Sequence, residues 1–176
     1  MKKTHHIFFG VVLILGFVMG FKAFVNFYPE ILFQGAKKKI GGLENVFRLS
    51  NLPDHTSKMV VKPNPDFIYV SCFYNLKNGP LQLTANVSNT NYWSIGLYEP
   101  NTVNFYVKNY KKFNSNKLNF LIIHKGYSLP KADDNIEVIK SKTKKGLILF
   151  RFLVNSNDDV KKIKHIQKSI QIKQFE

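Results

Sequence analysis

An uncharged apolar run, Ile7 to Phe21, constrains this chain more than any other feature, because nothing comparable follows it in the sequence. Extended through Lys22 to Tyr28, the segment has 22 residues. Its α-helix would be about 33 Å long, enough to cross the hydrocarbon core of a bilayer. The side chain of Lys22 can reach the headgroups along its alkyl stem. The sequence therefore predicts an N-terminal tail and transmembrane helix in residues 1–28, with the lipid bilayer as a partner.

A cleaved signal peptide is the alternative, because Met1, Lys2 and Lys3 give a short positive start and the strictly apolar stretch has only 15 residues. Against cleavage, no Ala-x-Ala site follows, and apolar residues resume directly after Lys22. We therefore expect a retained single-pass anchor. A short basic tail before a first apolar helix is typical of a tail that stays inside, so the rest of the chain is expected outside the cytoplasm.

The composition is strongly basic, with a formal net charge of +15. Of the 26 basic residues only Arg48 and Arg151 are arginine, and the lysines are scattered along the chain. Nucleic-acid surfaces favour arginine forks with interleaved aromatic side chains, so we expect no nucleic-acid partner. Adhesion of the domain to anionic lipid headgroups stays open. The single Cys72 cannot form an intrachain disulfide, so the fold must be stable without one.

Hydrophobic periodicity is weak between Pro29 and Met59, and Gly41-Gly42 and Pro53-Asp54 are typical turn residues. The sequence therefore predicts a juxtamembrane linker over residues 29–59 with at most short helical segments. Residues 60–176 are predicted to form a single domain.

From Asp66 onward the apolar residues alternate with a period of two and turn residues separate the runs, which indicates an all-β domain. The last run, Leu147–Val154, lacks this alternation and is expected to be buried on both faces. Seven runs at this spacing fit a two-layer sandwich. They are Asp66–Asn75, Leu81–Val87, Tyr92–Tyr98, Val103–Val107, Leu118–His124, Ile136–Ile139 and Leu147–Val154.

Near the C-terminus the pattern changes to a helical stripe formed by Val160, Ile163, Ile166 and Ile170. Ser156 is the predicted N-cap residue, and two aspartates follow in the first turn, where they favour a helix. We therefore predict that one C-terminal amphipathic helix closes the domain.

Four blocks from Pro63 onward carry a family resemblance. Pro63-Asn64-Pro65-Asp66-Phe67-Ile68-Tyr69-Val70-Ser71 matches the pattern Pro-Asn-x-Asp-x-x-Tyr-x-Ser, and Leu76 with Gly79-Pro80 matches an Asp-Leu-x-x-Gly-Pro turn. The aromatic strand Tyr92-Trp93-Ser94-Ile95-Gly96-Leu97-Tyr98 is followed by Asn101-Thr102 and Phe105, and Gly146-Leu147-Ile148-Leu149-Phe150-Arg151 is a late strand that ends at an arginine. In these blocks the sequence resembles a bacterial envelope family, the domain-of-unknown-function 1254 family, in its short membrane-anchored form.

The resemblance implies an immunoglobulin-like β-sandwich on the periplasmic side of the cytoplasmic membrane, with no established activity. In longer relatives a second β domain of unknown function, the 1214 domain, follows in the same chain. A separate protein that carries the 1214 domain is therefore an expected partner. Two positions depart from the family pattern, because Asn75 and Glu99 stand where aspartate is usual. If those carboxylates form a metal or acid/base site in relatives, Asn75 leaves this chain without one of the ligands.

A candidate pocket at one end of the sandwich combines aromatic faces that can stack on a ring or sugar with an arginine that can bind a carboxylate. The alternative interpretation is structural: a side chain caps the turn at Asn64–Asp66, Trp93 lies in the core, and Arg151 is a buried cation paired with Asp66 or Glu99. The candidate residues are Asn64, Asp66, Tyr69, Tyr92, Trp93, Asn101 and Arg151.

No catalytic pattern is visible in the sequence. His55, His124 and His165 lie far apart and show no metal spacing, and the adjacent carboxylates of Asp133-Asp134 point apart. There is no G-x-S-x-G motif and no phosphate-binding glycine loop. We therefore expect no cofactor, no metal and no enzymatic activity, but a non-enzymatic interaction or scaffolding module. The alternatives are a small-ligand or glycan binder and, third, a hydrolase whose residues are dispersed along the chain.

Overall fold

The computed structural model describes residues 2–54, 57, 63–87, 91–113, 115–128 and 135–175. This part of the chain is mostly β, with nine strands in two sheets, a long N-terminal helix and a C-terminal helix. The elements are α1 (Lys2–Ile40), β1 (Arg48–Leu49), β2 (Phe67–Asn75), β3 (Leu81–Asn86), β4 (Trp93–Tyr98), β5 (Asn104–Asn109), a 3₁₀ turn (Tyr110–Lys112), β6 (Lys117–His124), β7 (Glu137–Ser141), β8 (Lys145–Leu153), α2 (Asn157–Ser169) and β9 (Gln171–Gln174). His55 and the pair Asp133-Asp134 lie outside the described residues.

One sheet has five strands in the order β1-β2-β8-β4-β5, and the other has four in the order β7-β6-β3-β9. Neighbouring strands are antiparallel except β6 and β7, which are parallel. Apolar side chains of both sheets form one core cluster, in which Phe120 of β6 and Phe150 of β8 are fully buried. We call the side of the five-stranded sheet that faces away from this core its outer face.

The seven predicted strands correspond to β2–β8. In β8, Ile148, Phe150 and Phe152 are buried, whereas the alternate residues are only half-buried. The expectation that this strand is buried on both faces was therefore wrong, because its second side lies on the outer face. That face carries Leu147, Leu149, Arg151 and Leu153.

The prediction missed two short strands, β1 and β9. Strand β1 has two residues, too few for any periodic signal. Strand β9 is polar apart from Ile172, which pairs with Leu83 of β3 in the four-stranded sheet. Its sequence follows directly on the helical stripe of α2, so only the long-range pairing with β3 distinguishes it from the end of that helix.

Helix α2 forms where the sequence predicts it. The hydroxyl of Ser156 accepts a hydrogen bond from the backbone N–H of Asp159 at 3.3 Å, as expected of an N-cap residue. Ile163 faces the core and is buried. The helix therefore covers the end of the domain at which β4 begins.

Helix α1 does not end near Tyr28 but continues to Ile40, so residues 30–40 are not the largely irregular linker that the sequence suggested. Pro29 lies inside the helix, where its missing N–H removes one backbone hydrogen bond. The next turns are rich in good helix formers, and Gln34 donates a hydrogen bond to Glu30 at 2.7 Å. The helix ends at Ile40, and the next residue, Gly41, has a φ of 68°, which is typical of the position after a helix C-terminus.

The last turns of α1 contact the outer face of the five-stranded sheet. The rings of Phe33 and Phe73 meet edge-to-face at 5.3 Å, and Phe33 is 8% exposed. The ammonium of Lys37 lies 2.6 Å from Oε1 of Glu44, just beyond the helix.

The rest of α1 does not contact the domain in this way, because its apolar side chains between Ile7 and Leu32 are exposed. By length and composition α1 can cross a membrane, a test that signal sequences near an N-terminus also pass.

Candidate functional site

Most of the candidate site residues lie at the end of the five-stranded sheet where β2 and β4 begin and β8 ends. The turn before β2 is held by Asn64, whose Oδ1 accepts from the backbone N–H of Asp66 at 2.9 Å. The backbone N–H of Asn64 donates to the hydroxyl of Tyr69 at 3.2 Å. In this turn Asn64 therefore has the capping role that the structural interpretation assigned to the segment.

Arg151 lies in β8 on the outer face, with Tyr69 of β2 opposite on one side and Ser94 of β4 opposite on the other. Its side chain is half-buried. Within the described residues it has neither an ion pair nor a hydrogen bond, so the expected pairing with Asp66 or Glu99 is not present. No carboxylate of the described residues pairs with this half-buried cation.

The register extends one strand further, because Ser94 pairs with Asn109 of β5. Four side chains thus lie side by side across four strands, and we call them the polar row: Tyr69, Arg151, Ser94 and Asn109. Ser94 is 2% exposed, yet its Oγ has no hydrogen-bond partner among the described residues. The buried Oδ1 of Asn109 also has no hydrogen-bond partner among the described residues. Unpaired buried polar atoms are uncommon and costly, so each of these atoms is expected to have a partner, either an ordered water or a bound group.

Aromatic rings border the polar row at the end of the sheet. The ring of Tyr92 lies 6.0 Å from that of Phe67 and 5.7 Å from that of Tyr110, both edge-to-face. We call Phe67, Tyr92 and Tyr110 the aromatic row. Tyr92 is 36% exposed, so its ring is accessible beside Arg151.

Trp93 and Asn101 do not join this arrangement. Trp93 is 1% exposed and faces the core, where its ring meets that of Phe113 at 5.7 Å. Asn101 lies in the β4–β5 hairpin, at the opposite end of β4, and its Oδ1 accepts from the N–H of Val103 at 3.1 Å. The structure therefore brings Asn64, Asp66, Tyr69, Tyr92 and Arg151 to one end and assigns the other two structural positions.

The sequence did not predict four members of the site: Ser94, Asn109, Phe67 and Tyr110. Successive side chains of a strand point to opposite faces, so the sequence around Trp93 already indicates that Ser94 lies on the other face. Its position beside Arg151, a residue more than fifty positions later in the sequence, depends on the pairing of β4 with β8. Only the sheet order supplies that information.

Of the clefts on the described domain, one lies beside the aromatic row and another lies farther away. One, of about 430 Å³, lies between α2 and the start of β4, with Tyr92 and Trp93 on one side and exposed Lys161, Lys162 and His165 on the other. The other, of about 600 Å³, lies beside β5 and β7. Among the residues that the structure describes, neither cleft contains a buried side-chain atom without a partner.

The second cleft contains a satisfied polar cluster. The hydroxyl of Tyr106 donates to Oε1 of Glu137 at 2.7 Å, and Lys108 forms an ion pair with the same carboxylate. Burial, and then the hydrogen bond to Glu137, raises the pKa of Tyr106 well above its usual range. The ammonium of Lys108 also lies 4.8 Å from the centre of the Phe113 ring. These contacts join β5 of one sheet to β7 of the other, so the cluster has a structural role in holding the two sheets together.

The remaining candidates for reactive chemistry are the thiol of Cys72 and possible clusters of metal ligands. Burial raises the pKa of the Cys72 thiol to about 12, so it is a poor nucleophile at neutral pH. In the described part of the chain no three His, Cys, Asp or Glu side chains come together as metal ligands.

These features define a class: a two-sheet β domain joined to a helix of membrane-spanning length. Comparison with known proteins identifies the family within this class. The chain belongs to the DUF1254 family, described as proteins of unknown function, whose family model matches residues 44–174. No curated protein matches the chain.

Two solved structures resemble it. The VPA0106 protein from Vibrio parahaemolyticus is 9% identical with a TM-score of 0.67, and the match covers 84% of this chain and 34% of that one. An uncharacterised protein from Burkholderia cenocepacia is 12% identical with a TM-score of 0.45, over 62% of this chain and 31% of the other. The first likeness shows the fold. This chain spans about a third of the length of either protein.

Proposed function

We propose that this protein is a single-pass, membrane-anchored scaffolding module of the cell envelope, without enzymatic activity, whose domain lies in the periplasm and binds a partner protein. The docking surface is the outer face of the five-stranded sheet. An immunoglobulin-like sandwich is the finer description of the domain that we propose, supported by its two antiparallel-rich layers around one core.

The unpaired Arg151 beside the buried, unpaired hydroxyl of Ser94 is the observation that carries this proposal. A protein that needed neither group for binding would be more stable with apolar residues at these positions. The surrounding surface is suited to a protein, because Leu149 and Leu153 are half-buried and Val107 is exposed on the same face. The polar row thus lies within a mixed apolar and polar surface rather than in a deep cleft.

The proposal of an anchor rests on α1, whose apolar side chains between Ile7 and Leu32 are exposed and would be covered by lipid. Its contact through Phe33 then holds the domain close to the membrane, with the outer face on the side of the helix. The basic tail favours the cytoplasm, which supports a periplasmic domain.

A separate protein that carries the 1214 domain is the partner that we propose. Support comes from the family resemblance, because a 1214 domain follows this domain in longer relatives. A 1214 domain supplied by another chain would dock on the outer face of the five-stranded sheet.

A small-ligand or glycan binder is the second candidate, and one observation favours it. The aromatic row leaves Tyr92 exposed next to Arg151, and exposed aromatic faces are suited to sugar rings.

Site-specific photo-crosslinking in cells tests the docking surface. A crosslinking amino acid replaces Val107, which is 53% exposed on the outer face, and in a matched control it replaces Lys140, which is exposed on β7 of the other sheet. We expect one identified protein to crosslink from position 107 and not from position 140. The crosslink should fall when Arg151→Glu is added. Equal crosslinking from both positions, or none from position 107, would contradict the proposal.

A further inference from the structure

The polar row has a chemistry that restricts what can bind it. Arg151 offers a planar cationic donor, Ser94 a hydroxyl donor and Asn109 an acceptor oxygen, and none of these groups has a partner in the described part of the chain. Residues directly opposite in an antiparallel pair have their Cβ atoms about 5 Å apart. Because Ser94 lies opposite both Arg151 and Asn109, the three groups can meet a single ligand group.

The three groups differ in exposure. The Oγ of Ser94 and the Oδ1 of Asn109 are shielded from solvent. The side chain of Arg151, opposite Ser94 in the sheet, is half-buried and makes no hydrogen bond or ion pair within the described residues. A ligand group that binds Arg151 and also reaches Ser94 therefore requires a local movement of side chains.

The combination of donors and an acceptor selects among anions. A carboxylate can accept two parallel hydrogen bonds from the guanidinium and a third from Ser94. Asn109 still needs a donor, which a carboxylate alone lacks and which the single O–H of a hydrogen phosphate dianion also supplies, so inorganic phosphate is the competing ligand in the test. A peptide that presents an acidic side chain brings its own backbone N–H groups.

We infer that Arg151 receives the carboxylate of an Asp or Glu side chain from the partner protein, while Ser94 donates to the same carboxylate and Asn109 accepts from a backbone N–H of that segment. The inference rests on the proposed docking of a partner protein on the outer face. The net charge of +15 fits it, because a strongly basic protein attracts acidic partners. The exposed ring of Tyr92 borders the bound segment.

The test uses the full-length chain in nanodiscs of uncharged phosphatidylcholine. The probes are N-acetylglutamate methylamide and its neutral isostere N-acetylglutamine methylamide, and binding is followed by saturation-transfer NMR. We expect the glutamate probe to bind roughly tenfold more tightly than the glutamine probe. Arg151→Gln should abolish this preference, and Ser94→Ala should reduce it. Arg48→Gln, which removes the other arginine from an exposed position on the same sheet, should leave it unchanged.

Arg151→Lys is the second variant, because it keeps the charge but removes the planar fork and should retain only part of the preference. Equal binding of the two probes, or a preference that survives Arg151→Gln, overturns the inference. Tighter binding of inorganic phosphate than of the glutamate probe also overturns it and identifies a phosphate site. If these outcomes occur while position 107 still crosslinks, the docking surface stands and only the carboxylate assignment fails. If position 107 does not crosslink, the docking surface itself fails.

Discussion

The side-chain amide nitrogen of Asn75 lies 2.6 Å from Oε2 of Glu44. Glu44 follows α1 and also binds the ammonium of Lys37, so these three residues fasten the helix to β2. The neighbouring Asn45 completes the junction, because its Oδ1 accepts from the backbone N–H of Asn75 at 2.7 Å. The resemblance placed aspartate at position 75 in relatives. Here the amide has a structural role, since it donates to a carboxylate that an aspartate would repel.

Asn75→Asp should therefore destabilise the junction. It replaces a donor to Glu44 with a second carboxylate, and after solvent screening the loss should be roughly 1 kcal/mol. Thermal unfolding of the solubilised full-length chain, followed by Trp93 fluorescence, measures it. Asn101→Asp is the matched control, because only the acceptor oxygen of Asn101 is used and aspartate keeps that oxygen. Equal melting temperatures for native protein and Asn75→Asp would show that the contact contributes nothing.

The same junction predicts a pH dependence. The hydrogen bond from Lys37, and then that from Asn75, holds the pKa of Glu44 below its usual 4.5. Because the folded-state pKa is depressed, the stabilisation is fully present above pH 4.5 and is lost as the pH falls through the folded-state value. Melting temperature should fall over this acidic range in the native chain and less steeply in Glu44→Gln. Parallel curves for the two proteins would exclude Glu44 as the source.

Gly146 is required by close packing between β8 and its neighbours. A Cβ at this position would collide with the backbone carbonyl of Tyr98 and with the ring and hydroxyl of Tyr74. Gly146→Ala should cost about 3 kcal/mol, because the clash is partly with backbone. Gly126→Ala is the control, since its nearest neighbour would be Nδ1 of His124 at 4.0 Å. Denaturant titration compares the two variants, and similar midpoints would mean that β8 shifts to accommodate the methyl group.

Local pattern was sufficient for much of the fold. The period-two runs predicted β2–β8, and the helical stripe with Ser156 predicted α2, because the sides that these elements bury can be read from neighbouring residues. The prediction ended the N-terminal helix at Tyr28 because hydrophobic periodicity is weak beyond it, whereas the good helix formers of the following turns continue α1 to Ile40.

The site was only partly predictable for a different reason. Arg151 and Tyr69 were predicted as members of the site. Ser94 and Asn109 were not, because their places beside Arg151 follow from the order and pairing of the strands in the sheet. The charge partner expected for Arg151 was also wrong, because chemical complementarity in the sequence does not specify which side chains share a face. Sheet order decides that, and sheet order is a global property of the chain.

The side of the membrane on which the domain lies can be tested with a single introduced thiol. Lys140→Cys places a thiol at an exposed position, whereas Cys72 is buried and has a pKa raised to about 12, so it should not react. In spheroplasts a membrane-impermeant maleimide should label Lys140→Cys and leave the native chain unlabelled. A thiol in the tail, Lys3→Cys, should be labelled only after permeabilisation. The reverse pattern would place the domain in the cytoplasm.

Arg151→Leu separates a structural from a binding role for the arginine. If Arg151 were a buried cation with a counter-charge, its removal would cost several kcal/mol. Since no such partner exists among the described residues, and since leucine suits a half-buried sheet position, stability should be unchanged or rise by up to about 1 kcal/mol. Crosslinking from position 107 should fall at the same time. Chemical denaturation and crosslink yield are measured on the same preparations, with Arg48→Leu as the charge-matched control. Unfolding of Arg151→Leu would assign the arginine a structural role, whereas a stable variant with undiminished crosslinking would remove Arg151 from the docking surface.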